Sequence, residues 1–100
     1  MPKTALPLLS EKNFQAQVIQ YALLKGWLVW NTWRSFHSPK GEFDLRLCRP
    51  PRYVLMELKS ERGTLTREQE AAFPLLKACP GIEAYVFKPA QWSEIEKVLE

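Results

Sequence analysis

The stretch FDLRLCRPPRYVLMELK at residues 43–59 decides the fold of this 100-residue chain. Apolar and polar residues alternate at both of its ends, which is typical of β-strands that bury one face. Between these strands, Pro50 and Pro51 cannot adopt the positive φ of the common two-residue hairpin turns, so such a turn is excluded. We therefore expect a hairpin with the four-residue loop RPPR, in which Cys48 lies opposite Tyr53.

This register brings two carboxylates together. Asp44 lies directly opposite Glu57 on one side of the sheet, with Cβ atoms about 5 Å apart, and Lys59 projects from the same side. Like charges in opposed positions weaken a sheet, whereas a divalent cation held by both carboxylates removes the conflict and suits hard oxygen ligands. The alternative is a solvent-exposed face of the hairpin, on which Lys59 and Arg46 partly neutralise the two carboxylates.

The sequence predicts helices both before and after the hairpin. Ser10 is a suitable N-cap and Gly26 a suitable C-terminal stop for the first helix. Thr66 and Gln69 fit the capping box that opens a second helix, which Pro74 should bend or locally break. The first helix covers residues 11–25, and the second ends at residues 80–81. Besides these helices and the hairpin, the sequence predicts a strand over 27–32, a loop over 34–41, a strand over 82–88 and a final helix over 91–99. The residues expected to point inward from the second helix are Ala72, Phe73, Leu75, Leu76 and Cys79.

Composition and charge exclude several classes of protein. With 46% hydrophobic and 25% charged residues, residues 1–100 are typical of one globular domain. No apolar run approaches the roughly 20 residues that cross a bilayer, and the N-terminus lacks the features of a signal peptide, so we expect a cytoplasmic protein without a membrane partner. Cys48 and Cys79 have no zinc-like spacing, and we expect both to be reduced core thiols. The net charge of +3 is uneven, since residues 30–67 contain eight basic and four acidic residues, and a polyanion would bind there.

Several motifs together resemble a nuclease family. The sequence GEFD at residues 41–44, twelve intervening residues and ELK at residues 57–59 resemble the PD-(D/E)XK nuclease signature. Further motifs resemble the VRR-NUC branch of that superfamily, in particular its stand-alone phage and bacterial members, and the resemblance covers nearly the whole chain. These motifs are SEKxFQxxVI at residues 10–19, GW at 26–27, GxxDL at 41–45, ELKS at 57–60, GxLTxxQ at 63–69 and KPxxW at 88–92. The resemblance implies an α/β, restriction-endonuclease-like αβββαβ core with a mixed central sheet and a short C-terminal helix.

The resemblance also implies roles for the hairpin residues. Asp44 and Glu57 are expected to bind Mg²⁺ or Mn²⁺, with the backbone carbonyl of Leu58 as a further ligand. Lys59 is expected to orient or activate the attacking water and to stabilise charge on the phosphate.

Two residues outside the hairpin match the family's site as well. Glu11 corresponds to an acidic residue that completes the metal shell, and Gln69 to a glutamine near the catalytic lysine or water. Each has a structural alternative: Glu11 is a favourable negative charge at a helix N-terminus, and Gln69 belongs to the capping box.

Together these roles imply a metal-dependent DNA endonuclease in the cytoplasm of a bacterial or phage-infected cell. Stand-alone relatives imply structure-specific cleavage of Holliday-junction or flap-like branched DNA by a homodimer. The expected contacts to the DNA backbone come from Arg34, Ser35, Ser38 and Lys40. One alternative is a non-catalytic DNA-binding module, because Phe43 replaces the proline that usually precedes the aspartate. Another is a protein-interaction domain whose tryptophans form the partner surface.

The remaining basic and aromatic residues have less specific interpretations. His37 is expected at the surface or on a phosphate, and Trp33 is the tryptophan that best suits base stacking. The arginines that could extend the surface for DNA contacts are Arg49, Arg52, Arg62 and Arg67. For the two in the hairpin, Arg49 and Arg52, the alternative is solubilising charge. The tryptophans expected in the core or at a subunit interface are Trp27, Trp30 and Trp92.

Overall fold

The computed structural model describes residues 10–31 and 41–100. Its helices are α1 (Glu11–Leu24), α2 (Arg67–Lys77) and α3 (Trp92–Leu99), the last preceded by a 3₁₀ turn at Pro89–Gln91. Its strands are β1 (Leu28–Asn31), β2 (Leu45–Arg49), β3 (Arg52–Leu58) and β4 (Glu83–Phe87). This order confirms the predicted α-β-β-β-α-β-α succession. None of these helices combines the length and the apolar character that crossing a membrane requires.

The four strands form one mixed sheet in the order β1-β2-β3-β4. β2 runs antiparallel to both β1 and β3, and β4 runs parallel to β3. A parallel neighbour requires a crossover connection, and α2 provides it. The predicted α/β architecture with a mixed central sheet and a C-terminal helix is therefore confirmed.

The hairpin has the predicted register but not the predicted turn. Cys48 pairs with Tyr53, and the ladder also includes Arg49 opposite Arg52, so only two prolines form the connection. The exclusion of a two-residue turn was therefore wrong. It considered only turns with positive φ, whereas the peptide bond between the two prolines is cis, and a cis proline at the third position defines a turn type without positive φ.

The main core lies between one face of the sheet and the helices α1 and α3. Alternate residues of β2 and β3 point into it, which follows from the two-residue period of a strand. Trp27 closes one end, where its indole N–H donates to the carbonyl of Leu99 at 2.9 Å. The fully buried members of this core are Phe14, Val18, Ala22, Leu45, Leu47, Val54, Met56, Leu58, Ile95 and Leu99.

The caps of α1 were predicted correctly. The Ser10 side chain accepts a hydrogen bond from the amide of Asn13 at 3.1 Å, and Gly26 has a φ of 87° just after the last turn. A positive φ is reached most easily by glycine, which explains why the helix stops here.

Helix α2 departs from its predicted packing. Leu75 is 70% exposed, Cys79 is exposed beyond the end of the helix, and Gln69 is the buried residue of α2. The helix is also continuous through Pro74. The inward set was therefore wrong at Leu75 and Cys79. The core-thiol prediction was wrong as well, since Cys48 is only half-buried.

Candidate metal centre

Asp44 and Glu57 come together just beyond the end of the hairpin ladder. The last ladder pair is Leu45 with Met56, and Asp44 and Glu57 are the next residues of the two segments. The amide of Asp44 donates to Glu57 Oε1 at 3.0 Å, and the amide of Leu58 donates to Asp44 Oδ2 at 3.1 Å. Each carboxylate is thus held by a backbone amide of the opposite segment, in a charge-assisted hydrogen bond.

These side chains are buried, which excludes the solvent-exposed alternative. Asp44 is 4% exposed, Glu57 is fully buried and Lys59 is 7% exposed. Buried charges are costly unless they are paired or coordinate a metal. Lys59 Nζ lies 3.1 Å from Glu57 Oε2, so one ammonium group partly balances the two carboxylates.

Glu11 adds a third carboxylate from the first residue of α1. Its Oε1 lies 3.9 Å from Lys59 Nζ, and its side chain is 47% exposed. One carboxylate oxygen each from Glu11, Asp44 and Glu57 lie within 4.8 Å of one another. Glu11 is therefore the solvent-exposed member of an otherwise buried cluster. A negative charge is favourable at a helix N-terminus, and this does not exclude a role of Glu11 as a metal ligand.

The donor set fits a hard divalent cation. Mg²⁺ and Mn²⁺ prefer oxygen ligands, and the cluster supplies three carboxylates but neither histidine nor cysteine. Three carboxylates and the Lys59 ammonium carry a formal charge of −2, which one divalent cation balances. The amide of Leu58 faces Asp44, and the amide and carbonyl of a strand residue point to the same neighbour, which favours the Leu58 carbonyl as a further ligand.

Gln69 is buried and belongs to the predicted capping box. Its Oε1 accepts from the amide of Thr66 at 3.0 Å, and its own amide donates to Thr66 Oγ1 at 3.1 Å. The side-chain carbonyl is thus committed to the helix cap. The side-chain NH₂ group takes no part in the cap.

Two hydrogen bonds connect the segment just after Lys59 to the segment just after β4, and this connection was not predicted. Lys88 Nζ donates to the carbonyl of Glu61 at 3.0 Å, and the Glu61 carboxylate accepts from the amide of Ala90 at 3.1 Å. Gly63 closes the turn, where an added Cβ would lie 3.2 Å from Lys59 Cβ. These contacts support the chain just after the lysine. The KPxxW motif at residues 88–92 contains Lys88 and Ala90, but the sequence analysis assigned it no role.

Arg49 and Arg52 connect the hairpin to the C-terminal ends of α1 and α3. Arg49 donates to the carbonyls of Lys25 at 2.8 Å and Glu100 at 2.6 Å, and Arg52 donates to that of Val98 at 2.7 Å. Both guanidinium groups also lie over the Trp27 ring, at 4.6 and 5.1 Å from its centre. Cations at helix C-termini are stabilising, and this structural role of the two arginines was not predicted.

A salt bridge fixes Arg52 on the sheet. Its guanidinium donates to both carboxylate oxygens of Glu83 at 2.7 Å, and the Tyr85 hydroxyl donates to Glu83 Oε1 at 2.7 Å. The hydrogen bond from Arg52 lowers the pKa of Glu83, and burial raises the pKa of Tyr85.

The predicted DNA contacts mostly fall outside the described residues. Those outside are Arg34, Ser35, Ser38 and Lys40, together with Trp33 and His37. Arg62 and Arg67 are described and exposed.

The other three tryptophans differ in their surroundings. Trp27 is a core residue, as predicted, and Trp92 is half-buried in an edge-type contact with Tyr21, with ring centres 5.6 Å apart. Trp30 is 43% exposed and therefore lies outside the core.

Phe43 occupies the position before Asp44 and is 2% exposed. Its ring centre lies 5.9 Å from that of Phe73 in α2. The residue therefore packs the chain against α2 just where the carboxylate of Asp44 enters the cluster.

Comparison with protein-family models, with curated protein sequences and with solved structures finds no match to this chain.

Proposed function

We propose that this protein is a metal-dependent DNA endonuclease that hydrolyses phosphodiester bonds. One observation carries the proposal: oxygens of Glu11, Asp44 and Glu57 converge within 4.8 Å, beside the buried ammonium of Lys59. The ordered set of motifs that resembles the VRR-NUC nucleases supports the same activity.

Each group of the site has a distinct task in this proposal. The three carboxylates and the Leu58 carbonyl hold Mg²⁺ or Mn²⁺, which when bound lowers the pKa of water and polarises a phosphoryl oxygen. The Lys59 ammonium orients the water and stabilises negative charge that develops on the phosphate. The NH₂ group of Gln69 provides a further donor. Hydrogen bonds between Asp44 and the facing strand keep the carboxylates in place, so little reorganisation accompanies binding.

The substrate in this proposal is branched DNA, either a Holliday junction or a flap, and the active form is a homodimer in the cytoplasm. Two symmetric cuts require two active sites, which a two-fold dimer supplies. The loop residues Arg34, Ser35, Ser38 and Lys40 are the proposed contacts to the DNA backbone, which is the target of most protein–DNA hydrogen bonds.

Cleavage of four-way, flap and linear DNA with Mg²⁺ or Mn²⁺ tests the activity. Asp44→Asn and Glu57→Gln keep the side-chain shapes but remove ligand charge, and we expect each to lower the rate by about 100-fold or more. Glu94→Gln alters an exposed carboxylate of α3 and serves as the matched control. Equal cleavage by all three variants would overturn the proposal. Salt-sensitive DNA binding without any metal-dependent product would instead favour the non-catalytic module.

A further inference from the structure

Strands β1, β2 and β3 place an aromatic and a cationic side chain side by side on one face of the sheet. Trp30 of β1 pairs with Arg46 of β2, which in turn pairs with Leu55 of β3. Paired residues of neighbouring strands point to the same face, so these three side chains form one row across the sheet. Trp30 is 43% exposed, and Arg46 is exposed as well. The row is therefore accessible to a ligand at its β1 end.

Helix α2 covers the other end of this row. It packs on β4, and its residues Ala72 and Leu76 line a groove of about 430 Å³ together with Arg46 and Leu55. Trp30 does not line this groove, and within the described residues its strand pairs only with β2. One side of the Trp30 ring therefore faces Arg46, and the other lies towards the open edge of the sheet.

Arg46 is a cation that no acidic group of the described chain neutralises. Its guanidinium carbon lies over the Trp30 ring, 5.8 Å from the ring centre. Over residues 10–31 and 41–100, no carboxylate forms an ion pair with it, although Glu42 lines the same groove. An arginine that stacks on an aromatic face keeps the N–H donors at its edge available for an anion, and the planar guanidinium suits a phosphate.

The row lies next to the carboxylate cluster. Glu57 follows Leu55 by two residues on β3, so both point to the same face and are about 7 Å apart along the strand. Asp44 precedes Arg46 by two residues on the neighbouring segment. With about 4.8 Å between strands, Trp30 lies on the order of 10 Å from the cluster. One or two nucleotides span this distance, so a strand with a phosphate at the cluster brings a neighbouring base to the row.

We propose that Trp30 and Arg46 form a binding subsite for one unpaired nucleotide next to the phosphate at the metal centre. The base stacks on the side of the Trp30 ring that faces away from Arg46, and the guanidinium donates to a phosphate of the same strand. The base must be unpaired because a duplex covers both faces of each base with its neighbours, whereas single strands expose them to aromatic side chains. The link to cleavage rests on the proposed function, but the binding does not.

A nucleic acid suits this row better than a protein partner. A nucleotide supplies both an anion for Arg46 and a flat ring for Trp30, and proteins that bind single strands combine these two contacts. An apolar protein surface would bury the guanidinium without an anion, which is costly. Residues 30–67, which contain the row, also carry eight basic and four acidic residues, a balance that attracts a polyanion.

Binding of two labelled strands in EDTA tests the subsite separately from cleavage. One strand is an oligothymidylate of about twelve nucleotides, and the other has the same length and charge but consists of abasic sites. Fluorescence anisotropy gives the affinity for each. Wild type should bind the thymine strand at least about fivefold more tightly, because stacking of a base on an aromatic side chain strengthens binding by that factor or more.

Substitutions in the row should separate stacking from charge. Trp30→Ala should lower the ratio of the two affinities at least about fivefold, and Trp30→Phe, which retains a ring, should lower it less. Arg46→Gln should weaken binding of both strands alike and reduce the salt dependence by about one phosphate contact. An unchanged ratio in Trp30→Ala, or a wild type that binds both strands equally or neither, would overturn the proposal.

Two matched controls accompany these variants. Leu28→Ala truncates a 54% exposed side chain of the same strand and should leave the ratio unchanged. Lys97→Gln removes an exposed positive charge of α3 and should alter neither affinity. An effect of Leu28→Ala on the ratio as large as that of Trp30→Ala would contradict a subsite centred on Trp30.

Photocross-linking of the wild type provides a readout that needs no variant. A strand that carries 5-iodouracil in place of thymine should form an adduct with Trp30, which fragmentation mass spectrometry assigns to the residue. Adducts at other residues alone would overturn the proposal. Base-dependent binding without metal-dependent cleavage would support the subsite and refute the nuclease assignment alone. Metal-dependent cleavage with an unchanged ratio in Trp30→Ala would refute the subsite alone.

Discussion

The carboxylate of Glu57 accepts a hydrogen bond from the backbone amide of Asp44 at 3.0 Å, although both side chains belong to the same acidic cluster. In turn, Asp44 Oδ2 accepts a hydrogen bond from the amide of Leu58, the residue after Glu57, at 3.1 Å. Two like charges that would push strands apart are therefore held by the strands' own amides. These hydrogen bonds fix the positions of both carboxylates.

The hydrogen bond to Leu58 leads to a prediction for Asp44. Asp44→Ala leaves a buried amide without its acceptor and should cost about 1–3 kcal/mol in the free energy of unfolding. Asp44→Asn retains an acceptor and should be more stable than the alanine variant, although both lose metal affinity. Urea denaturation in the absence of metal measures the difference. Equal stability of the two variants would show that the hydrogen bond contributes nothing.

Lys59 should have opposite effects on metal binding and on cleavage. Lys59→Met removes a positive charge beside the carboxylates, so Mn²⁺ should bind more tightly and raise the melting temperature more than in the wild type. Cleavage should nevertheless fall by about 100- to 1,000-fold, because the charge that stabilises the phosphate is lost. Calorimetric titration with Mn²⁺ and a cleavage assay provide both numbers.

Lys97→Met, which changes an exposed lysine of α3, is the control for Lys59→Met and should alter neither quantity. Weaker Mn²⁺ binding by the Lys59 variant would mean that the ammonium supports the metal site instead of competing with it.

The two roles of Gln69 can be separated through its capping partner. Thr66→Ala and Gln69→Ala both break the capping box, and each should lower the free energy of unfolding by about 1 kcal/mol. Only Gln69→Ala also removes the side-chain NH₂ group, so it alone should reduce cleavage beyond what the loss of stability explains. Chemical denaturation and cleavage rates at 25 °C are the measurements. Equal cleavage by both variants would leave Gln69 with a capping role only.

The salt bridge between Arg52 and Glu83 predicts a stability that depends on pH. Its hydrogen bond lowers the pKa of Glu83 in the folded protein below the ordinary 4.5. The stabilising contribution is therefore complete above pH 4.5 and disappears as the pH falls through the lowered pKa. Glu83→Gln should lose about 1 kcal/mol at pH 7 and lose less on further acidification than the wild type.

Urea denaturation of wild type and Glu83→Gln at pH 7 and pH 3 measures this dependence, with Glu94→Gln as an exposed control. Identical pH dependence in all three proteins would contradict the assignment.

Local sequence patterns predicted the part of the fold that places the site. Alternation over residues 43–59 set the faces of the hairpin, and a strand's two-residue period leaves little freedom once one face is apolar. The same register brought Asp44 and Glu57 together just beyond the last ladder pair. The caps at Ser10 and Thr66 were also readable, because a capping side chain bonds to an amide three residues away.

Long-range contacts were not readable in the same way. Arg52 contacts Glu83 and Val98, which are 31 and 46 residues away, so its charge alone did not distinguish a structural role from a DNA contact. The exposure of Leu75 depended on where α2 meets the sheet, which helical periodicity does not specify. The burial of Lys59 beside Glu57 likewise became apparent only when both faces of the sheet were in place.

We expect Glu11, Asp44 and Glu57 to hold one divalent cation. The most direct test is the anomalous difference density of a crystal grown with Mn²⁺. We expect one strong peak at about 2.0–2.2 Å from an oxygen of each of the three carboxylates, with Lys59 beside it. Density without a peak in this cluster at saturating Mn²⁺, or a peak bound elsewhere on the protein, would contradict the account.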